Sequence, residues 1–129
     1  MLCPNLRNLL LVLVRMKNST KVKHSKEIGI GMLGCGVVGS GVLKAFDEKT
    51  ISINQFVQHP VKLRKIFVQD TAKLRDWPVE DSMLTTNEDF VIGASNVDVV
   101  VEVMGGVDPA YDLVKQSILN RKHVVTANK

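Results

Sequence analysis

Residues Glu27–Lys49 read EIGIGMLGCGVVGSGVLKAFDEK. Ile28, Ile30 and Leu33 make a short apolar run, and Gly34, Gly36 and Gly39 follow in the spacing G-x-G-x-x-G. Beyond them Val38, Val42, Ala45 and Phe46 recur at i, i+4, i+7 and i+8, the apolar stripe of a helix ending near Lys49. Strand, glycine turn and helix in that order give this spacing its meaning as a dinucleotide phosphate site; elsewhere the glycines signal only a turn. Gly34 then permits the tight turn, Gly36 lets the backbone approach a pyrophosphate, and Gly39 lets the helix pack closely on the strand. The phosphates would sit on unpaired N–H groups at the helix start, where the dipole supplies roughly half a positive charge.

Composition fits one folded domain with a core. The 129 residues are 45% hydrophobic and 23% charged, ordinary values for a globular chain. Much of the net charge of +4 lies in residues 1–26, which hold basic residues and no acid. With few aromatic residues to stack on bases, this basic stretch reads as a flexible, solvated N-terminal extension and not as a nucleic-acid surface. Met16-Lys17-Asn18 resembles a natural start, which would make the first fifteen residues an upstream over-read; Met1 and Met16 both stay open as the start. No run reaches membrane-spanning length. Leu9–Val14, set between Arg7 and Arg15, makes a poor signal peptide. Cys3 and Cys35 are the only cysteines, and their separation argues against a disulfide scaffold or a zinc site, so no metal is expected. Cysteine usage points to the reducing cytoplasm.

Down the chain, Thr50–Pro60 reads as a looser connection and Val61–Val68 as a second strand, ending at Gln69-Asp70. In a dinucleotide-binding unit an acidic residue about 20 positions past the glycines binds the adenosine ribose. Asp70 stands farther along than that. Either the unit carries an insertion or Asp70 is a turn aspartate, and Lys73 or Arg75 offers a partner for a 2′-phosphate instead. NAD and NADP both stay open. Trp77-Pro78 marks a polar turn, Met83–Thr85 a brief strand, and Thr86 with Asp89 a capping box opening a short helix through Ala94. Val97–Val103 is apolar on both faces except at Asp98 and Glu102, the pattern of a central parallel strand. Glu102 would lie toward its carboxyl end, as an anchor for neighbouring loops in preference to a cleft residue. Gly105-Gly106 makes a second glycine turn, and Asp108 and Pro109 suit the cap and first position of a helix. That helix would bury Ala110, Leu113, Val114, Ser117 and Ile118, leaving Lys115, Asn120, Arg121 and Lys122 to water. His123–Thr126 is the last strand, with His123 at its surface end.

Strands alternate with helices throughout. The expected fold is α/β: a Rossmann-like, doubly wound, mainly parallel sheet with helices on both faces and right-handed crossovers. The last strand reaches the ligand edge as the chain stops, so residues 27–129 read as a partial dinucleotide-binding domain, incomplete at the C-terminus. No pair of titratable groups is spaced for general acid–base work, and no nucleophile stands beside a base.

Three blocks together resemble homoserine dehydrogenase: IGIGMLGCGVVGSGV (Ile28–Val42), VDVVVEVMGGVDPA (Val97–Ala110) and RKHVVTANK (Arg121–Lys129). The resemblance implies reversible reduction of aspartate semialdehyde to homoserine with NAD(P)H, on the route to threonine, methionine and isoleucine. It further implies a pyrophosphate loop of Gly34, Gly36, Val37, Val38 and Gly39, with Gln69 and Asp70 near the adenosine ribose. Met104, Gly105 and Gly106 would border the nicotinamide, facing Thr126, Ala127 and Asn128. Lys129 would be the active-site lysine, whose ammonium stabilises negative charge on the carbonyl oxygen. Gln69 departs from an arginine frequent in the family, which bears on the 2′-phosphate. The family's substrate carboxylates, second lysine and most of its homodimer contact belong to a following domain, so these residues alone are expected to bind cofactor and turn nothing over. Two alternatives stand beside this: the first domain of another dehydrogenase, such as a sugar or inositol dehydrogenase, and a non-catalytic NAD(H)-sensing module. Ala127-Asn128-Lys129 speaks against the sugar and inositol enzymes, which carry Glu-Lys-Pro there.

Overall fold

The apolar run at Ile28 becomes the central strand of a five-stranded sheet. In the structure, a computed structural model, residues 26–128 are described. The N-terminal extension, apart from Lys26, lies outside the described residues, as does Lys129. In chain order come β1 (Ile28–Leu33), α1 (Val37–Val57), β2 (Val61–Phe67), a 3₁₀ turn (Asp81–Met83), β3 (Leu84–Thr85), α2 (Asp89–Ile92), β4 (Val99–Glu102), α3 (Ala110–Leu119) and β5 (His123–Thr126). All pairings are parallel and the order is β3-β2-β1-β4-β5. The chain moves outward from β1 to β3, then returns to the other side of β1 for β4. That reversal places the crevice of an open α/β sheet at the carboxyl ends of β1 and β4.

Alternating side chains of β1 feed two cores. Leu33 joins Phe67, Val91, Ile92, Val97, Val100 and Leu113 on the face covered by α2 and α3. Met32 joins Cys35, Leu43, Ile66 and Val68 on the α1 face, where Trp77, Val79 and Met83 also pack. The helices therefore cover both faces. Between β1 and β2 the register slips after Ile30↔Leu63, so that Gly31 pairs with Lys65 and Arg64 is the extra residue. This bulge shifts the side-chain phase of β2, which lets Leu63 and Ile66 both reach the α1 core despite their odd spacing. Close approach of the chain selects glycine at position 29. A Cβ there would stand 1.8 Å from the Asn96 carbonyl oxygen. The Gly29 N–H donates to Asp98 Oδ2 at 2.9 Å.

Several local expectations are corrected. α1 runs through residues 50–57 to Val57, because Ile51 and Ile53 only weaken a helix while Gln58, left-handed at φ 60°, and Pro60 end it. Asn54 Oδ1 accepts from Val61 N–H at 2.8 Å, tying that last stretch to β2. Its buried stripe centres on Gly39, Ser40 and Leu43, and Val38 is exposed. Thr86 caps nothing: Asn87 Oδ1 accepts the Asp89 N–H at 3.0 Å, and α2 stops before Gly93. β4 is shorter than Val97–Val103. α3 begins one residue after Pro109, which is itself the cap, and Asp108 supplies no capping bond. Ile118 is exposed. Asn120 is exposed and Lys122 half-buried, but both are also bonded back to the chain: Asn120 Nδ2 donates to Ile92 O at 3.0 Å, and Lys122 Nζ to Ala94 O and Val97 O at 2.6 and 2.7 Å. No helix among the described residues is long and apolar enough to cross a membrane.

Candidate functional site

A cleft of about 390 Å³ opens at the carboxyl edge, over the turn between β1 and α1. Gly34, Cys35 and Gly36 form its floor. Phe67 to Asp70, Lys73 and Arg75 line the β2 side, and Met104, Gly105, Asp108 and Pro109 the β4 side. Each glycine of the turn answers to a different constraint. Gly34 is left-handed at φ 95°, and a Cβ on it would stand 2.9 Å from Met104 Cα. A Cβ on Gly39 would meet the Gly34 carbonyl oxygen at 3.0 Å, so helix and turn are in close contact. Gly36 has nothing within 4 Å of where its Cβ would be. It caps α1 without a side-chain bond, and no acidic residue occupies the first turn. The positive end of a long helix therefore meets the cleft uncompensated by protein.

The β2 side is a self-contained loop. Asp70 Oδ1 accepts the Ala72 N–H at 2.8 Å. Arg75 donates to the Asp70 carbonyl at 2.6 Å and to the Lys73 carbonyl. Its Nε is buried and finds no acceptor among the described residues. Burial pushes the Cys35 thiol up, against the opposing pull of the Arg75 guanidinium, so this thiol stays protonated at neutral pH and acts as a packing group.

The β4 side is cross-linked from beneath. Glu102, 1% exposed, accepts from Met104 N–H at 2.7 Å through Oε1 and from the Thr126 hydroxyl through Oε2. Asn128 N–H donates to Thr126 Oγ1 at 3.0 Å, and Asn128 Nδ2 donates to the Gly106 carbonyl. Gly105 and Gly106 are both left-handed at φ 76°. Two loops, residues 104–106 and 126–128, are thus held together over one buried carboxylate.

Of the residues singled out from sequence, Gly34, Gly36, Gln69, Asp70, Met104 and Gly105 line the cleft. Val37 and Val38 lie exposed on the first turn of α1, and Gly39 is buried beneath it. Thr126 and Asn128 line a neighbouring hollow of about 190 Å³ with Glu102, Val107, Ala110, Tyr111 and Val114. Gly106 joins the two through Asn128; Ala127 N–H bonds Glu102 O at 3.0 Å. Lys129 lies outside the described residues. The structure adds Cys35, Phe67, Val68, Asp108 and Pro109 to the cleft; Cys35 lies inside the glycine spacing and Asp108-Pro109 opens α3, whereas Phe67 and Val68 are signalled only by their place at the end of β2. No group of three or more His, Cys, Asp or Glu among the described residues is placed to hold a metal ion.

Comparison with known proteins gives a consistent picture. Residues 34–129 match the family described as homoserine dehydrogenase, NAD binding domain. The chain is 40% identical over 104 residues to homoserine dehydrogenase of Bacillus subtilis strain 168, covering 81% of the chain and 24% of that protein. A crystal structure of Staphylococcus aureus homoserine dehydrogenase at pH 8.5 superposes with a TM-score of 0.74 at 36% identity, over 82% of this chain and 27% of that one. The enzyme of Thiobacillus denitrificans superposes at 0.68 and 34% identity, over 81% and 24%. The chain thus spans about a quarter of the length of the relatives it matches.

Proposed function

The chain belongs to the family of NAD-binding domains of homoserine dehydrogenase, and on that premise we propose that it holds NAD(P)H in the carboxyl-edge cleft for the reversible reduction of aspartate semialdehyde to homoserine. The observation that carries this reading is Gly36: bare, exposed and unobstructed at an uncapped helix N-terminus. A backbone free of side chains there lets phosphate oxygens reach the first N–H groups of α1, Val37, Val38 and Gly39 among them. Gln69 and Asp70, which line the cleft just past the end of β2, would meet the adenosine ribose. Met104, Gly105 and Gly106 would border the nicotinamide ring, opposite Thr126, Ala127 and Asn128. Glu102 acts underneath by holding these two loops in register.

The bound cofactor supplies or accepts the hydride. Lys129 is assigned the ammonium that stabilises negative charge growing on the substrate carbonyl oxygen. The homodimer implied by the family, and the cytoplasmic setting suggested by cysteine usage, belong to the same reading. Alone, these 129 residues are expected to bind cofactor without oxidising homoserine.

The test is a fluorescence titration of the chain with NADH and NADPH, repeated for Gly36→Val. Saturable binding by the native chain, weakened at least roughly a hundredfold in the variant, is expected from loss of the phosphate contacts. Far-UV circular dichroism and the unfolding midpoint should stay unchanged, because the new side chain meets open space. Equal binding by both chains would remove the cofactor from this turn.

A further inference from the structure

The two edges of the sheet are unlike. β3 has only two residues, Leu84–Thr85, too short to template another strand. β5 has four, His123–Thr126, with no lysine, proline or bulge to blunt it. Its His123 N–H and the following Ala127 N–H bond Asp98 O and Glu102 O beside it on the β4 side. Backbone groups alternate in direction along an extended strand, so those of Val125 also face β4 while those of Val124 and Thr126 point outward. Among the described residues no strand pairs with them, because β5 ends the sheet.

α3 adds an apolar stripe beside this edge. The helix buries Ala110, Leu113 and Ser117. Next to that face Tyr111, Val114 and Ile118 recur at i, i+3 and i+7, with Val107 one turn earlier. Val107, Tyr111 and Val114 share a hollow with Thr126 and Asn128, so the stripe flanks the carboxyl end of β5. Val107 is 73% exposed, Tyr111 63%, Ile118 58%, Leu119 72% and Val125 57%. Together they show on the order of 500 Å² of mostly apolar surface, so two copies face to face would bury about 1,000 Å², the lower limit for a specific interface.

We infer that a second copy of this chain docks here, β5 against β5, so that one sheet runs through both copies. Only a twofold axis at Val125 pairs both outward residues within β5, Val124 of each copy with Thr126 of the other. Strands related in this way are antiparallel. The carboxyl edge of one copy then meets the amino edge of the other. That brings Asp108 and Asp112, at the start of one α3, toward Arg121 and Lys122, just past the end of the other. Opposite charges thus frame the apolar seam at both ends. The axis stands perpendicular to the sheet and keeps the two α3 helices on one face, stripe toward stripe. This contact is separate from the dimer contact that the family resemblance assigns to a following domain.

Sedimentation equilibrium of the chain without cofactor tests this. The native chain, 14.3 kDa as a monomer, should reach twice that mass with a dissociation constant in the micromolar range. Ile118→Asp and Val125→Lys should each weaken the dimer at least roughly tenfold, by placing a charge in the seam. Both side chains are more than half exposed, so the far-UV circular dichroism of the variants should match that of the native chain. The axis is read by Val125→Cys in a Cys3→Ser background, Cys35 being buried. Two introduced thiols would face each other across a non-hydrogen-bonded pair, about 4.5 Å apart at Cα, and should link the dimer on mild oxidation. A monomer at every concentration would overturn the inference and leave this face to further sequence of the kind the longer relatives carry. A dimer indifferent to both charged substitutions, or one that V125C does not link, would overturn it equally.

Discussion

At the amino end of β1 every approach is closed by the chain itself. The Gly29 N–H is bonded to the Asp98 carboxylate at 2.9 Å, and Asp98 N–H returns to Gly29 O at 2.8 Å. Glu27 holds Lys62 at 2.6 Å and Arg64 at 2.8 Å, and Lys122 reaches over to cap two carbonyls of the loop before β4. At the carboxyl end of the same strand, a few residues away, the opposite holds. Gly36 faces open space, the helix it begins has no side-chain cap, and a cleft of about 390 Å³ lies over it. One strand thus joins an edge that the chain closes with its own bonds, Arg64 Nε being the one buried side-chain donor there without a partner among the described residues, to an edge whose donors are left for something else. Fold stability should depend on the first and ligand affinity on the second.

The largest effect expected from this contrast comes from one substitution made at both ends. Gly29→Ala drives a Cβ to within 1.8 Å of a backbone carbonyl, and no side chain can yield to relieve it. The strand or the loop before β4 must move, at a cost of about 3 kcal/mol or more. Gly36→Ala, by contrast, should change stability by less than about 0.5 kcal/mol. Urea unfolding of both variants reads the difference. Comparable losses would show that the two edges are not divided in this way.

Glu102 lies on the boundary between the two regimes. It belongs to the open edge by position but is built like the closed one: buried and bonded to both neighbouring loops. Glu102→Ala should cost about 3 kcal/mol, from two lost hydrogen bonds, the donors left unpaired and the cavity left behind. Glu102→Gln keeps an oxygen for Met104 N–H and can donate to Thr126 Oγ1, so it should recover most of the loss. An alanine variant as stable as the native chain would mean that the loops hold themselves without it.

What could be read from sequence divides along the same line. Alternation and glycine spacing describe local geometry, so β1, the start of α1, and the anchoring role of Glu102 were legible. So was the grouping of Gly34, Gly36, Gln69, Asp70, Met104 and Gly105 along one cleft, because parallel strands bring their carboxyl ends to one edge. The end of α1 was not legible. Ile51 and Ile53 look like a strand or loop by propensity, yet nothing before Gln58 breaks the helix, and Asn54 bonds β2. Asn120 and Lys122 read as surface residues because their partners, Ile92, Ala94 and Val97, are far away in sequence. The bulge at Arg64 was hidden for a related reason: a phase slip looks like imperfect alternation until the partner strand is known.

The smallest effect is the one most diagnostic of the closed edge. Asp98 has its carboxyl held below the usual aspartate range, first by the Gly29 N–H and then by Lys26. A carboxyl whose folded pKa lies below its unfolded one adds stability above the unfolded value, and loses it as the pH falls through the folded value. The contribution of Asp98 should therefore be whole at pH 7 and fade from about pH 4 downward. The group is partly open to solvent, so Asp98→Asn should cost less than about 1 kcal/mol at pH 7. The gap to the native chain should narrow as the pH approaches about 3. Glu27 is lowered as well, by Lys62 and then Arg64, but it titrates alike in both chains, so the difference between them isolates Asp98. Urea midpoints across that pH range make the measurement. A gap that stays constant with pH would mean the Gly29 bond is served equally by a neutral acceptor, and that the closed edge owes its strength to shape more than to charge.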